Sequence, residues 1–327
     1  MADDQPIPDQ SSPGQSSPHR PKAADPNAST CCGASAPDRE ASVEDETASF
    51  GKTAAYSIED AVWINGFACP PAPTLRRLHA AASVMRLVRN KEDTRQVFET
   101  VDALAGKAGH RQFKRFTDTP YGRRVAAEPV RAEDILSNRE WLRSLPPGSF
   151  GRAYLEFMEG EDLTPEGLLS SALEAGIDFR AETDFPAYQR IFLHQAVMHD
   201  VLHVLSGYGR DALGEFCNLA FTLGQSYNRG FDLIIAIGLM AQKLEAPRAP
   251  LIAAVRQGRR MGRQSDFVFG FDLEELLPKP LSVVRRELNI LEPTIYNAVP
   301  QDLKDRLLKP RRDLTQTEQE AAAGAHA

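Results

Sequence analysis

Several classes of protein are excluded by what this 327-residue sequence contains little of. Its 38 Lys and Arg residues are outnumbered by 45 Asp and Glu residues, and the net charge of −7 provides no basic field for nucleic acid. No apolar run reaches the roughly 18–20 residues that a membrane-spanning helix needs. The N-terminus begins Met-Ala-Asp-Asp and lacks the basic segment and apolar run of a secretion signal. We therefore expect a cytoplasmic protein that binds no nucleic acid.

Cysteine is also scarce. The four cysteines are Cys31, Cys32, Cys69 and Cys217, and no two of them have Cys-x-x-Cys spacing. The adjacent pair lies in a polar region, so the pattern gives no sign of a disulfide framework. Cys217 falls in an apolar helical segment, where we expect it to act as a small core residue. These features indicate a reducing environment.

The first 55 residues contain few side chains that could build a core. Phe50 is their first aromatic residue, and Ile7 and Val43 are their only β-branched aliphatic residues. Such a segment buries too little apolar surface to offset the entropy that ordering costs. We therefore predict a disordered tail at 1–55.

Strand signals are scarce in the rest of the chain, whereas apolar residues recur at helical spacing. The fold class that we predict is all-α, with a single helical domain at 56–308. A polar, alanine-rich C-terminal tail follows at 309–327.

One predicted helix, at about 187–206, is apolar on nearly every side, which is typical of a buried helix. His199, Asp200 and His203 interrupt this pattern and share one arc of the helix, because His203 lies about 40° and Asp200 about 100° from His199. Gly207 and Gly209 then end the helix, and Asp211 is a candidate N-cap for the next one. Glu215 falls in the first turns of that next helix. It faces back toward the histidines if the two helices pack antiparallel.

Two imidazoles and two carboxylates that converge in a buried position indicate a metal site, because unpaired polar groups are costly there. Their charge of −2 neutralises a divalent ion, and imidazole favours zinc, iron or manganese over calcium or magnesium. The sequence lacks the general-base Glu of the H-E-x-x-H metalloproteases. His194 lies on another face and is excluded as a ligand, whereas Gln195 is a candidate supporting residue. Arg210 has two open interpretations: an ion pair with Asp211, or a fork that holds a substrate carboxylate or phosphate.

Two neighbouring helical segments also have open interpretations. A row of polar residues recurs along 212–228: Glu215, Asn218, Thr222, Gln225 and Arg229. This row is either a solvated face or a polar wall of the metal cavity. The strongly apolar segment at 231–244 is either core or one wall of a slot for an apolar ligand.

The motif His199-Asp200-x-x-His203, followed by eleven residues and Glu215, resembles the H-D-x-x-H-(x11)-E motif of the ubiquinone (coenzyme Q) biosynthesis protein 4 family. The local sequence MHDVLHVLSGYGRDALGE is similar to that family's HDLWHVLTGYGRDxxGE. The block that begins Leu145-Pro-Pro-Gly resembles its LPxxTxGxxYxxFL segment. Pro280 opens a block that resembles its PLxxVRxxLxI. The likeness covers about 70–292.

This resemblance implies an all-helical fold in which His199, Asp200, His203 and Glu215 bind a divalent metal. It implies a role in ubiquinone biosynthesis, on a polyprenylated benzoate or quinone intermediate. It also implies contact with other enzymes of that pathway and with the periphery of the inner membrane, and a homodimer is one candidate assembly. Two roles stay open.

The first role is a metal-dependent decarboxylase, a lyase that removes the ring carboxyl group at C1, with hydroxylation there in an oxidative version. In that case we expect Arg210 to orient the carboxylate and the prenyl chain to lie along the apolar surfaces of 216–240. The second role is a lipid-binding scaffold for the pathway. A metal-dependent phosphohydrolase of the HD type is a weaker third interpretation, because those enzymes scatter their ligands over several helices.

Overall fold

A computed structural model describes residues 56–89, 94–128, 131–174 and 176–307. The predicted tails at 1–55 and 309–327 lie outside these residues, so the predicted domain boundaries stay predictions. The predicted all-α class is confirmed, because helices dominate the described chain. In chain order the α-helices are α1 (Arg77–Arg89), α2 (Thr94–Ala103), α3 (Ala108–Thr117), α4 (Pro120–Ala127), α5 (Ala132–Ser137), α6 (Arg139–Ser144), α7 (Phe150–Gly160), α8 (Pro165–Glu174), α9 (Pro186–Ser206), α10 (Ala212–Gln225), α11 (Arg229–Glu245), α12 (Leu251–Gln264), α13 (Leu273–Leu276), α14 (Leu281–Glu287), α15 (Thr294–Asn297) and α16 (Gln301–Arg306).

A small hairpin precedes the helices and was missed by the sequence analysis. Strands β1 (Val62–Ile64) and β2 (Phe67–Cys69) pair antiparallel. Asn65 and Gly66 connect them with φ values of 52° and 86°. Two consecutive residues with positive φ match the twist of a two-residue hairpin, which is why Asn-Gly favours this turn. The dipeptide was therefore a readable signal.

Helix α9 is the central element of the described fold. It begins at Pro186, whose ring suits the first turn of a helix, and it ends at Gly207, which has a left-handed φ of 78°. It contacts α3, α4, α5, α7, α8, α10 and strand β2. Its apolar residues are buried on several faces, with Ile191 and Val201 fully inaccessible. The predicted buried helix is confirmed.

Helix α10 packs backbone to backbone against α12. A Cβ atom on Gly262 would overlap the carbonyl oxygen of Phe221, and one on Gly258 would overlap that of Cys217. Only glycine permits so close an approach. Cys217 is fully buried in this contact, as predicted.

The C-terminal helices close the fold over the end of α9. Arg285 of α14 donates hydrogen bonds to the carbonyl oxygens of Val204 (2.8 Å) and Leu205 (3.0 Å). These carbonyls belong to the last turn of α9, where helices lack internal donors. Across the described residues, no helix combines the length and apolar character needed to cross a membrane.

Candidate metal centre

Helix α9 presents three of the predicted ligands on one arc. The ligand atoms of His199, Asp200 and His203 all lie within 4.8 Å of one another. His203 is fully buried in its side chain, whereas 31% of the His199 side chain is exposed. The three side chains therefore form a cluster that is shielded from solvent at His203 and accessible to solvent at His199.

The turn between α9 and α10 directs Glu215 back to this cluster. Asp211 is the predicted N-cap of α10, and its Oδ1 accepts hydrogen bonds from the amides of Leu213 (3.2 Å) and Gly214 (3.0 Å). Glu215 follows in the first turn, and its Oε2 lies 3.4 Å from Nε2 of His199 and 3.4 Å from Nε2 of His203. The structure thus places Glu215 against both histidines, while Asp200 clusters with the same two histidines on α9.

The orientation of His203 is fixed by its other ring nitrogen. Nδ1 lies 3.0 Å from the carbonyl oxygen of Tyr208, which can only accept a hydrogen bond. Nδ1 therefore carries the hydrogen, so a neutral His203 that binds a metal would do so through Nε2, which lies 3.3 Å from Nε2 of His199. The ring of Phe157 stacks on His203 at 5.6 Å between centroids. Metal-binding histidines typically make such a hydrogen bond through their second ring nitrogen, because it sets the tautomer.

In this cluster, the carboxylate and the imidazoles alter one another's pKa. Burial alone raises the pKa of Glu215, but hydrogen bonds and the charges of His199 and His203 outweigh burial and hold that pKa far below its usual range. Burial likewise lowers the pKa of His199, but the hydrogen bond and charge of Glu215 outweigh it, so the net shift is upward. The site therefore favours a carboxylate with a positive charge beside it.

The donor set fits a divalent ion of the zinc, iron or manganese type. Two imidazole nitrogens face each other and one carboxylate oxygen, and Asp200 adds a second carboxylate within the same cluster. A divalent cation would supply the positive charge that His199 otherwise has to carry. With 28% of the Glu215 side chain and 31% of the His199 side chain exposed, the cluster is open to solvent on one side.

Arg210 does not form the ion pair with Asp211 that was one of its two interpretations. Its Nε lies 3.4 Å from Oε1 of Glu215 instead. The oxygens of Asp211 are occupied by the N-cap bonds and by the hydroxyl of Tyr296. Within the described residues the terminal nitrogens of Arg210 have no hydrogen-bond partner, and 37% of its side chain is exposed.

The polar row spans α10 and the first residue of α11, and it is neither a uniformly solvated face nor a continuous wall of the metal cavity, since only Arg229 at its end is exposed. Asn218 is fully buried and donates to the carbonyl oxygen of His199 at 3.4 Å. Gln225 is buried, and its amide bonds the backbone of Gly262 in α12 and of Val268, which follows that helix. Glu215 alone of this row has its side chain against the histidine pair. A linear pattern cannot separate these residues, because α10 is covered by different helices on two sides.

Two further residues of α9 are placed as follows. His194 packs between Phe116 (5.2 Å) and Tyr121 (5.6 Å), away from the cluster, so its exclusion as a ligand agrees with the structure. Gln195 lies one turn before His199, and its amide nitrogen is buried without a hydrogen-bond partner in the described chain. Sequence reasoning missed the roles of Tyr208 and Tyr296, since their bonds to the loop give no periodic signal.

Comparisons with known proteins identify the family of this chain. A family model described as "Coenzyme Q (ubiquinone) biosynthesis protein Coq4" matches residues 70–294. The chain is 30% identical over 211 residues to the mitochondrial ubiquinone biosynthesis protein COQ4 homolog of Bos taurus, covering 60% of this chain and 72% of that protein. It is 28% identical over 241 residues to the Homo sapiens homolog, and this match covers 69% of this chain and 82% of that protein.

A solved structure supports the fold. The crystal structure of a protein from Nostoc punctiforme PCC 73102, named for ubiquinone biosynthesis, aligns with a TM-score of 0.51 and 18% identity. The alignment covers 66% of this chain and 99% of that one. The matched family residues include α9, its loop and α10, which carry the whole histidine and carboxylate cluster. The chain therefore belongs to the coenzyme Q (ubiquinone) biosynthesis protein Coq4 family.

Proposed function

We propose that this protein is a metal-dependent decarboxylase of ubiquinone biosynthesis, acting at ring carbon C1 of a polyprenylated hydroxybenzoate. The observation that carries the proposal is the convergence of His199, His203 and Glu215 within 3.4 Å of one another, open to solvent on one side. A site made only for stability has no need of an open side.

The proposed ligands of the ion are His199, Asp200, His203 and Glu215, and the ion is zinc, iron or manganese. When bound, it supplies Lewis-acid chemistry, and a redox-active ion is needed if O₂ is consumed. His203 keeps its Nε2 available because Tyr208 holds the hydrogen on Nδ1. Glu215 balances charge at the open side of the cluster.

We propose that Arg210 holds the substrate carboxylate. Its terminal nitrogens have no partner among the described residues, and its Nε contact to Glu215 keeps the side chain beside the cluster. A guanidinium fork matches a carboxylate in a bidentate geometry. The bond between C1 and the carboxyl carbon breaks, CO₂ leaves, and C1 takes a proton. In the oxidative version C1 takes a hydroxyl group from O₂, the second oxygen leaves as water, and a reductant supplies two electrons.

We propose that the prenyl chain lies along the apolar surfaces of α10 and α11, within 216–240. On α11, Met240 is 62% exposed, and Leu244, one turn beyond this range, is 70% exposed. Large apolar side chains grouped on one exposed face favour a lipid or protein ligand over solvent. The same face supports the proposal that the protein contacts the periphery of the inner membrane and other enzymes of the pathway.

The direct test uses purified full-length protein and a synthetic short-chain prenylated hydroxybenzoate. Samples loaded separately with Fe²⁺, Mn²⁺, Co²⁺ or Zn²⁺ are assayed for CO₂, with and without O₂ and a reductant. We expect CO₂ release with at least one metal, and no release from Glu215→Ala. Absence of turnover with every metal would overturn the decarboxylase proposal.

A scaffold that shelters a prenyl lipid is the second candidate, and the exposed α11 face favours it. The two roles separate in cells that depend on this protein for ubiquinone. If Glu215→Ala stops quinone production while fold, lipid binding and complex assembly persist, a pure scaffold is excluded. If the variant sustains normal quinone production, the scaffold role is supported.

A further inference from the structure

The loop between the two ligand helices carries a supporting contact for each of them. The carbonyl oxygen of Tyr208 accepts from Nδ1 of His203 at 3.0 Å, which sets the tautomer of that histidine. Asp211 caps α10 and accepts the first helical hydrogen bond, from the amide of Glu215, on its backbone carbonyl at 2.9 Å. The tautomer of His203 and the position of Glu215 therefore both depend on residues 208–211 of this loop.

Tyr296 of α15 contacts this loop at three points. Its hydroxyl donates to Oδ2 of Asp211 and accepts from the amide of Gly209 at 3.0 Å. Its ring meets the ring of Tyr208 edge to face, with centroids 5.3 Å apart. A Cβ atom on Gly209 would lie 2.7 Å from the Tyr296 hydroxyl, so the approach requires glycine there.

Burial and a neighbouring lysine hold Tyr296 in its position against the loop. Tyr296 is 4% exposed, and the ammonium group of Lys304 in α16 lies 4.2 Å from the centre of its ring. Burial, followed by the hydrogen bond and charge of Asp211, raises the pKa of Tyr296. Its hydroxyl therefore keeps the proton that it donates.

We propose that Tyr296 is a positioning residue for the metal centre: it holds the loop at 208–211 so that His203 and Glu215 face one another. Tyr296 lies outside both ligand helices and does not touch the cluster itself. It acts through Asp211 and Tyr208. This inference rests on the metal site of the proposed function.

The test uses Tyr296→Phe in the full-length chain, which removes the hydroxyl and keeps the ring. Tyr121→Phe is the matched control, since it deletes a buried tyrosine hydroxyl on α4, outside both the loop and the metal cluster. We expect the affinity for Co²⁺ and Zn²⁺, measured by competition with a chromophoric chelator, to fall roughly tenfold or more in Tyr296→Phe. The visible absorption spectrum of bound Co²⁺ is expected to change as well. Tyr121→Phe keeps wild-type affinity and spectrum.

Amide hydrogen exchange of the metal-free protein is the second measurement. Peptides that cover 208–215 are expected to exchange their amide hydrogens faster in Tyr296→Phe than in wild type, with no such change in Tyr121→Phe. Asp211→Ser is the second variant, because serine also caps helices but lacks the second oxygen that Tyr296 bonds. It is expected to weaken metal binding in the same direction.

The outcomes separate the inference from the proposed function. If Tyr296→Phe melts at a lower temperature but the folded protein binds Co²⁺ with unchanged affinity and spectrum, Tyr296 is only structural and the inference is wrong. If wild-type protein binds neither metal, the metal centre fails, and this inference fails with it. Weakened binding, an altered spectrum and faster loop exchange together support the proposal.

Discussion

At the scale of single residues, the candidate centre depends on Glu215, the side chain of α10 that reaches the histidines of α9. Glu215 contacts both histidines, whereas His199 and His203 come from the same helix. We expect Glu215→Gln to weaken metal binding by at least the roughly 10–100-fold that loss of a supporting residue costs. Titration of metal-free protein with Zn²⁺ against a competing chelator measures this. Binding as tight as that of wild type would remove Glu215 from the ligand set.

Arg210 is testable through the substrate. Arg210→Lys keeps the positive charge but loses the planar fork. We expect KM for a prenylated hydroxybenzoate to rise about tenfold, in line with one charge-assisted hydrogen bond. Steady-state kinetics measure it, with the exposed Arg286→Lys as control. An unchanged KM would show that Arg210 does not hold the carboxylate.

His194 predicts a pH dependence of stability that is separate from the metal centre. Burial lowers the pKa of His194 from 6.5 to about 4. The unfolded chain binds this proton more readily, so the contribution of His194 is fully present above about pH 6.5 and is lost as the pH falls toward 4. The loss amounts to roughly 3 kcal/mol. Urea unfolding at several pH values is expected to show a shallower decline for His194→Phe than for wild type, and equal declines would contradict the assignment.

At the scale of secondary-structure elements, the close packing of α10 on α12 makes a sharp prediction. In Gly262→Ala the added methyl group meets the Phe221 backbone, which cannot yield as a side chain can. We expect a loss of about 1–3 kcal/mol in the free energy of unfolding. Gly160→Ala is the control, because a Cβ there meets nothing within 4 Å. Comparable stabilities for the two variants would mean that the helices do not touch as described.

The end of α9 depends on Arg285 in a similar way. Its guanidinium bonds the carbonyl oxygens of Val204 and Leu205. Arg285→Gln is expected to cost about 1–3 kcal/mol. Arg286→Gln, at the exposed neighbouring residue, is expected to change stability little. Denaturant unfolding of both variants measures the difference.

Much of the secondary structure around the site could be predicted from the sequence. The burial of α9 followed from its apolar faces, and Asp211 and Gly207 marked the ends of the helices on either side of the loop. The site was predictable because its side chains lie in one helix–loop–helix, where spacing alone sets the geometry. The roles of Gln225 and Tyr296 were not predictable, since they depend on which distant helix covers each face.

At the scale of the whole molecule, exposed apolar side chains on two neighbouring helices favour the proposed contact with lipid. Helices α1 and α11 pack against each other and both contact α2. Leu78 and Met85 of α1 are 88% and 54% exposed, and Met240 and Leu244 of α11 are similarly open. Charged residues in these positions would oppose insertion among lipid chains.

We therefore expect wild-type protein to float with phospholipid vesicles, and Met240→Glu/Leu244→Glu to lose this binding without loss of fold. Leu291→Glu is the control, since Leu291 is equally exposed at 61% but lies in another region of the chain. Equal flotation of all three proteins would contradict a lipid-facing role for α11. Light scattering on the same samples reports whether the apolar face instead joins two copies in a homodimer.

The central claim is that His199, Asp200, His203 and Glu215 together hold one divalent metal ion. Elemental analysis of full-length, untagged protein, purified anaerobically without chelators, tests it most directly. We predict about one ion of zinc, iron or manganese per chain in the wild type and far less in His199→Ala and Glu215→Ala. A wild-type chain that retains no divalent metal, or variants that retain as much as the wild type, would contradict the claim.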